Sequence, residues 1–188
     1  MKIVCIGNSI VNGFPHKRSQ CFVSLWRQAS GYEIINKGEN GDVSANIYGR
    51  FEKDVISHKP NLVLILTGTN DFIYRLNTPA EVLSYLDKMV GLSEKNSIEV
   101  VFMTPLLIDE AMAEKKWMPD VDYNAVNEML KELRGLMLDY CSEHSVKIID
   151  AQEMFSLLYS EGTVSEYLLD GLHPTVLGHA AIADFFHI

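Results

Sequence analysis

Short runs of apolar, β-branched residues alternate along the chain with longer stretches of amphipathic character. The run over 62–66 reads LVLIL, and a run without any polar position is typical of a strand that is covered on both faces of its sheet. Together the runs predict five strands, at 2–6, 33–36, 62–67, 98–103 and 146–150.

The amphipathic stretches predict helices at 44–58, from 78 onwards, at 122–144 and at 175–186. The second of these begins clearly, because Thr78 can cap it, Pro79 suits its first position and Glu81 completes a capping box. Strands that alternate with helices along 188 residues predict one α/β domain over the whole chain, 1–188, with a doubly wound parallel sheet.

Polar clusters follow the predicted strands and precede the last predicted helix. In doubly wound sheets the binding site lies at the carboxyl ends of the strands, so we expect these clusters to share one site. They are GNSI at 7–10, NKGENGD at 36–42, GTND at 68–71 and DGLHP at 170–174.

The clusters contain the groups that acyl transfer needs. Ser9 offers a hydroxyl at a helix entrance, and a hydroxyl needs a base to become a good nucleophile. His173 is a suitable base, and Asp170 can accept a hydrogen bond from its other ring nitrogen and fix the tautomer. The backbone N–H groups of Ser9 and Gly41 and the side-chain amide of Asn70 can stabilise an oxyanion.

These four clusters resemble the four sequence blocks of the SGNH hydrolases, the GDSL-type lipases and esterases. The resemblance extends from residue 7 to residue 174, in the family's order and approximate spacing. It implies a flavodoxin-like, three-layer α/β/α fold with strand order 2-1-3-4-5, and hydrolysis of esters or thioesters without a metal or cofactor. The matching residues are Ser9 in the nucleophile block, Gly41 in the glycine block, Asn70 in the asparagine block, and Asp170 and His173 in the closing block.

The first block departs from the family pattern. It usually reads Gly-Asp-Ser, whereas here it reads Gly7-Asn8-Ser9. In the family that aspartate supports the loop and is not the base, so the substitution leaves the implied triad complete. Asn8 keeps the shape and one acceptor but loses the charge, which bears on the rate and on the rigidity of the loop.

Each residue also has a structural interpretation, in which Ser9 caps a helix, Asn70 closes an Asx-turn, and Asp170 and His173 form a capping pair. A flavodoxin-like ligand-binding module is the competing class, but the loop at 7–13, GNSIVNG, matches no phosphate-binding fingerprint. A weakly active pseudo-esterase is the third possibility. His16 is an alternative base because it is close to Ser9 in sequence.

The substrate pocket is predicted to be small. The loops around Ser9 are mostly short and polar, so we expect acetyl to butyryl esters to be preferred. The segment 104–120 either lines the site or forms a surface loop with its own apolar cluster. Outside that segment, few residues offer apolar surface. The candidate substrate-binding residues are Phe14, Phe72, Tyr74 and Trp117.

The composition argues against two classes of binding partner. Sixteen basic against 25 acidic residues give a formal charge of −9, which argues against nonspecific binding to nucleic acid or anionic membranes. No apolar run approaches a membrane span, and residues 1–6 do not form a signal peptide. The partner we expect is a small acyl ester; nothing in the sequence indicates the oligomeric state.

An odd number of cysteines, Cys5, Cys21 and Cys141, without a CxxC pair fits reduced thiols in the cytoplasm. No set of residues has zinc-ligand spacing, so we expect no metal. The remaining histidines are expected on helices, at the surface or partly buried. They are His58, His144, His179 and His187.

Overall fold

Five strands form a single parallel sheet in the computed structural model, which describes residues 1–186. The strands are β1 (Lys2–Gly7), β2 (Glu33–Gly38), β3 (Leu62–Leu66), β4 (Glu99–Met103) and β5 (Lys147–Ile149). Their order is β2-β1-β3-β4-β5 and each neighbouring pair is parallel, so the carboxyl ends lie along one edge. The predicted strand order is confirmed.

Helices connect the strands. They are α1 (Ser9–Asn12), α2 (Phe22–Ser30), α3 (Ser44–Gly49), α4 (Phe51–Asp54), α5 (Thr69–Ile73), α6 (Pro79–Lys95), α7 (Glu110–Lys116), α8 (Tyr123–His144), α9 (Ala151–Glu161), α10 (Val164–Tyr167) and α11 (Val176–Asp184). Two 3-10 turns lie at Arg18–Gln20 and Ile56–His58. Within residues 1–186, no helix combines the length and the apolar character that a membrane span requires.

Two apolar cores lie on opposite faces of the sheet, because successive side chains of a strand point to opposite sides. Val4 and Ile6 of β1 belong to the core that α3, α6 and α8 cover. Ile3 and Cys5 of the same strand belong to the core that α2, α9 and α11 cover. The two cores make three layers, as predicted.

The helix predicted over 44–58 is wrong as a single element. The structure divides it into α3, α4 and a 3-10 turn, with breaks at Arg50 and Val55, whose backbone angles leave the α region. The break at Arg50 lets its guanidinium turn back towards the end of β1, where it donates to the Gly7 carbonyl oxygen at 3.1 Å. The sequence predicted no helix at the positions of α2, α5, α7, α9 and α10.

Two glycines allow α1 to pack directly across the end of the sheet. Gly7 and Gly38 are paired in register at the ends of β1 and β2. A Cβ atom on Gly38 would collide with the backbone of Asn12, and one on Gly7 would collide with the Leu66 carbonyl oxygen. This close approach requires a glycine at position 38 and positions the helix that begins at Ser9.

Candidate active site

Ser9 is the first residue of α1, directly after the edge of the sheet. Asn8 caps this helix, because its side-chain oxygen accepts a hydrogen bond from the Ile10 N–H at 3.1 Å. The asparagine therefore supplies the acceptor that keeps the loop in shape. N–H groups of the first helical turn have no acceptor within the helix, so the Ser9 N–H can donate to a bound group.

A tight hairpin holds Asp170 and His173, and its base is a bridge between Leu168 and Pro174. One carboxylate oxygen of Asp170 accepts hydrogen bonds from the N–H groups of Leu172 at 3.0 Å and His173 at 2.8 Å. The other oxygen accepts from Nδ1 of His173 at 2.8 Å. Burial acts to raise the pKa of Asp170, but the hydrogen bonds from His173 and Leu172 outweigh it and hold that pKa below its usual range. The carboxylate is therefore ionised and orients the ring.

Nε2 of His173 lies 3.0 Å from Oγ of Ser9. Because Nδ1 donates its proton to the Asp170 carboxylate, Nε2 presents a lone pair to the hydroxyl. Both side chains are buried, with 1% of His173 and 7% of Ser9 exposed. The three residues form a continuous series of hydrogen bonds, which is the arrangement that can remove a proton from a serine hydroxyl.

Two further predicted residues lie beside Ser9. Asn70 is on α5, and its side-chain amide donates to the Asp42 carbonyl oxygen at 2.8 Å. Gly41 has a φ of +78°, in the left-handed region that favours glycine. Ser9, Gly41 and Asn70 face one cavity of about 90 Å³. That cavity is lined by Ser9, Phe14, Asn40, Gly41, Asn70, Tyr74, Trp117, Leu172 and His173.

Aromatic side chains form the outer wall of the cavity. The ring centroids of Phe14 and Trp117 lie 4.9 and 4.6 Å from that of His173, both with edge-on geometry. Trp117 follows α7, so the segment 104–120 does reach the cleft and is more than a surface loop. Tyr74 completes the wall from the end of α5, and its side chain remains 45% exposed.

Asn40 and Leu172 line the cavity although the sequence did not single them out. Asn40 directly precedes Gly41, and Leu172 directly precedes His173, so both lie in the matched clusters. Their position in the clusters could have indicated that they line the site. Their side chains carry no ionisable group, so they were not candidates for a catalytic role.

Phe72 is not part of the cavity, and the prediction that it binds substrate is not supported by its position. Its side chain is fully buried in the core beneath α6 and α8. Successive residues of a helix turn by about 100°, so Phe72 points away from the face that carries Asn70, two positions earlier. Tyr74, four positions after Asn70, returns to that face.

The other histidines lie outside the cavity. Nε2 of His16 contacts the Pro174 carbonyl oxygen at 3.1 Å, so the alternative base faces the hairpin and not Ser9. His179 was expected at the surface or partly buried, but it is completely buried, next to Phe22 and His16. His144 is exposed and His58 is half-buried, as expected of helix-end residues; His187 lies outside the described residues.

Across residues 1–186, no group of three or more His, Cys, Asp or Glu side chains could hold a metal ion.

Comparison with known proteins agrees with this geometry. The model of the GDSL-like lipase/acylhydrolase family matches residues 5–181. The chain belongs to this family. An acetylxylan esterase of Geobacillus stearothermophilus is 26% identical over 165 residues, which cover 83% of this chain and 71% of that protein. An arylesterase of Vibrio mimicus is 25% identical over 190 residues, covering 98% and 85%.

The fold is shared with solved structures of the same family. A member of the lipolytic G-D-S-L family from Veillonella parvula superposes with a TM-score of 0.83 at 20% identity, over 98% of this chain and 94% of that one. At this identity the likeness concerns the fold. Family membership and the two esterase relatives support an esterase or acylhydrolase class of activity for the chain.

Proposed function

We propose that the protein is a serine esterase that hydrolyses carboxylic esters of small acyl groups through an acyl-enzyme on Ser9. The observation that carries the proposal is the series of hydrogen bonds from Ser9 through His173 to Asp170, which ends at a cavity shared with Gly41 and Asn70. A nucleophile, a base and candidate oxyanion donors thus face the same small volume.

The reaction follows from these contacts. Oγ of Ser9 attacks the acyl carbon while Nε2 of His173 takes its proton, and the Asp170 carboxylate stabilises the imidazolium. The carbonyl oxygen becomes an oxyanion that receives hydrogen bonds from the N–H groups of Ser9 and Gly41 and from the Asn70 amide. His173 returns the proton to the leaving alcohol, and water then releases the acid from the acyl-enzyme by the same steps.

The acyl group is small because the cavity is small. Its volume of about 90 Å³ is well below the roughly 300–1,000 Å³ of ordinary ligand pockets, which suits a short acyl group such as acetyl. The relatives are named for acetylxylan and aryl esters, and we infer that short esters, with acetyl first, are the substrate class of this chain as well. Thioesters of the same acyl size offer the same carbonyl to Ser9.

We also infer a cytoplasmic location from the thiols. Cys5, Cys21 and Cys141 are free and buried. Burial raises the pKa of Cys141 to about 11, so this thiol is poorly reactive. Proteins of reducing compartments keep their cysteines in this state.

The test uses p-nitrophenyl acetate together with a fluorophosphonate that labels activated serines. We expect hydrolysis and a single label on Ser9 in the wild-type protein, and neither in Ser9→Ala. Ser19→Ala, which removes an exposed serine from the 3-10 turn before α2, is the matched control and should keep both.

Two results would contradict the proposal. Turnover by a folded Ser9→Ala protein would show that another group attacks the ester. A folded wild-type protein that neither hydrolyses p-nitrophenyl acetate nor takes the label would indicate a binding module or pseudo-esterase.

A further inference from the structure

Arg50 lies at the break between α3 and α4 and is not part of the cavity lining. Its Nη2 donates to the Gly7 carbonyl oxygen at 3.1 Å, and its Nε donates to the Asp42 carboxylate at 2.7 Å. Its Nη1 donates to the Asp54 carboxylate at 3.0 Å. These side chains are largely buried, with 13% of Arg50 and 9% of Asp42 exposed. One planar group therefore joins the end of β1 to the loop after β2.

Those two segments carry the backbone donors of the proposed oxyanion hole. Gly7 is two residues before Ser9, and Asp42 directly follows Gly41. The Gly7 carbonyl oxygen also accepts from the Glu39 N–H at 3.0 Å, so the two segments are in direct contact as well. A shift of either segment would move one backbone N–H relative to the other.

The third donor depends on the same residue. The carbonyl oxygen of Asp42 accepts the hydrogen bond of the Asn70 side-chain amide. The side chain of Asp42 is held by Arg50 and its main chain holds Asn70, so the orientation of the amide depends on the position that Arg50 gives to Asp42.

We propose that Arg50 is a positioning residue that sets the relative placement of the three oxyanion donors, Ser9 N–H, Gly41 N–H and the Asn70 amide, by clamping Gly7 to Asp42. The inference rests on the proposed esterase function. Arg50 does not line the cavity, so it would act through the backbone of the two segments. An arginine suits the position because three separate nitrogens of its rigid fork reach three acceptors, whereas a lysine ammonium donates from one nitrogen only.

The experiment compares Arg50→Lys with wild type on p-nitrophenyl acetate, well below the melting temperature of either protein. We expect kcat to fall by about 10²-fold, as displacements of about 1 Å at a catalytic site can produce, with KM changed by less than about twofold. The affinity for a trifluoromethyl ketone, which forms an oxyanion on Ser9, should fall in parallel with kcat. The affinity for the matching methyl ketone, as a ground-state analogue, should not.

Two further variants separate positioning from stability. Asp42→Asn keeps the size of the partner but removes its charge, and it should lower kcat in the same way if Arg50→Lys does not fold. Arg134→Lys is the matched control, because Arg134 forms a comparable fork with Asp150, at 2.8 and 2.9 Å, away from the cavity. It should lower the melting temperature and leave kcat unchanged.

The outcomes are distinct. If the wild type is active and kcat is unchanged in folded Arg50→Lys or Asp42→Asn, the positioning role of Arg50 is contradicted and the proposed function is not affected. Equal losses of affinity for both ketones would also contradict that role, because they would indicate a general disruption of the cavity. An inactive, unlabelled wild type would contradict the proposed function and the clamp with it.

Discussion

The side-chain amide of Asn70 donates a hydrogen bond to the carbonyl oxygen of Asp42 at 2.8 Å. An amide nitrogen carries two hydrogens, so this bond uses one and leaves the other for the cavity that Asn70 lines. The contact that orients the side chain is therefore separate from the contact that it can offer to a substrate. A donor that is oriented before substrate binds needs no rearrangement when the oxyanion forms.

We expect Asn70→Ala to lower kcat by about 10²–10³-fold, equivalent to about 2.7–4 kcal/mol, as is usual for the loss of one oxyanion donor. The effect should appear in kcat more than in KM, because the negative charge exists only in the transition state. Steady-state kinetics with p-nitrophenyl acetate measures both. A change in KM alone would mean that Asn70 only positions the substrate.

Asp170→Asn should lower kcat by on the order of 10⁴-fold while the hairpin keeps its shape. The asparagine oxygen can still accept from the N–H groups of Leu172 and His173, but its NH₂ group would face Nδ1 of His173. The ring would then carry its proton on Nε2, where the lone pair is needed. Measurements of kcat and of the melting temperature test this expectation. A fully active variant would show that Asp170 is not needed to orient His173.

The acyl preference should depend on Trp117. A cavity of about 90 Å³ cannot bury many methylene groups, each of which could contribute about 0.8 kcal/mol if it were buried. In a series of p-nitrophenyl esters, kcat/KM of the wild type should be highest from acetyl to butyryl and fall beyond.

Removing the indole should move that maximum. Trp117→Ala opens the outer wall beside Phe14 and His173, so we expect longer chains to gain relative to acetate. Trp117→Phe keeps an aromatic wall and should keep the preference for short chains. A wild-type maximum at eight carbons or more would mean that an acyl channel exists elsewhere along the cleft.

The stability of the protein should decrease in acid because of His179. Burial, together with the nearby His16 and His173, lowers the pKa of His179 to about 3, whereas an unfolded histidine titrates near about 6.5. Between these values the unfolded chain binds a proton that the folded chain does not. The free energy of unfolding should therefore fall as the pH decreases from about 6.5 towards 3, by up to about 1.4 kcal/mol per pH unit from this residue.

Urea unfolding at several pH values tests this expectation. His179→Leu should flatten the dependence of the free energy of unfolding on pH over that range, whatever its effect on stability at neutral pH. Ile182→Val, a buried apolar change on the same helix, should lower stability without altering the slope. Equal slopes for wild type and His179→Leu would contradict the prediction.

The sheet could be predicted from the sequence because its signal is local. A short all-apolar run such as 62–66 is typical of a buried strand, and polar residues that follow it, such as Asn70, then lie at the carboxyl edge of the sheet. The helices α2 and α9 were harder to predict. They are short, and their boundaries depend on packing against the sheet as much as on capping signals.

Other features could not be predicted from the sequence because they depend on contacts in the folded structure. The helix predicted over 44–58 breaks where Arg50 turns towards Gly7, a partner 43 residues earlier. Phe72 was expected to offer apolar surface to the substrate, but the helix turns its side chain into the core. His179 lies on a helix whose exposed and buried faces are both apolar, so no amphipathic pattern indicated its burial.

The hydrogen bond between Ser9 and His173 joins positions 164 residues apart in the chain. Asp170 and His173 make their mutual contacts within one short hairpin, whereas Ser9 meets them only when the first strand and the last hairpin have both been placed on the sheet. If Ser9 is the nucleophile, its labelling can therefore measure the rate of one step of refolding. A fluorophosphonate added at intervals after dilution from urea would react only with molecules in which His173 has reached Ser9. The labelled fraction would give the rate at which this contact forms, without a spectroscopic tag.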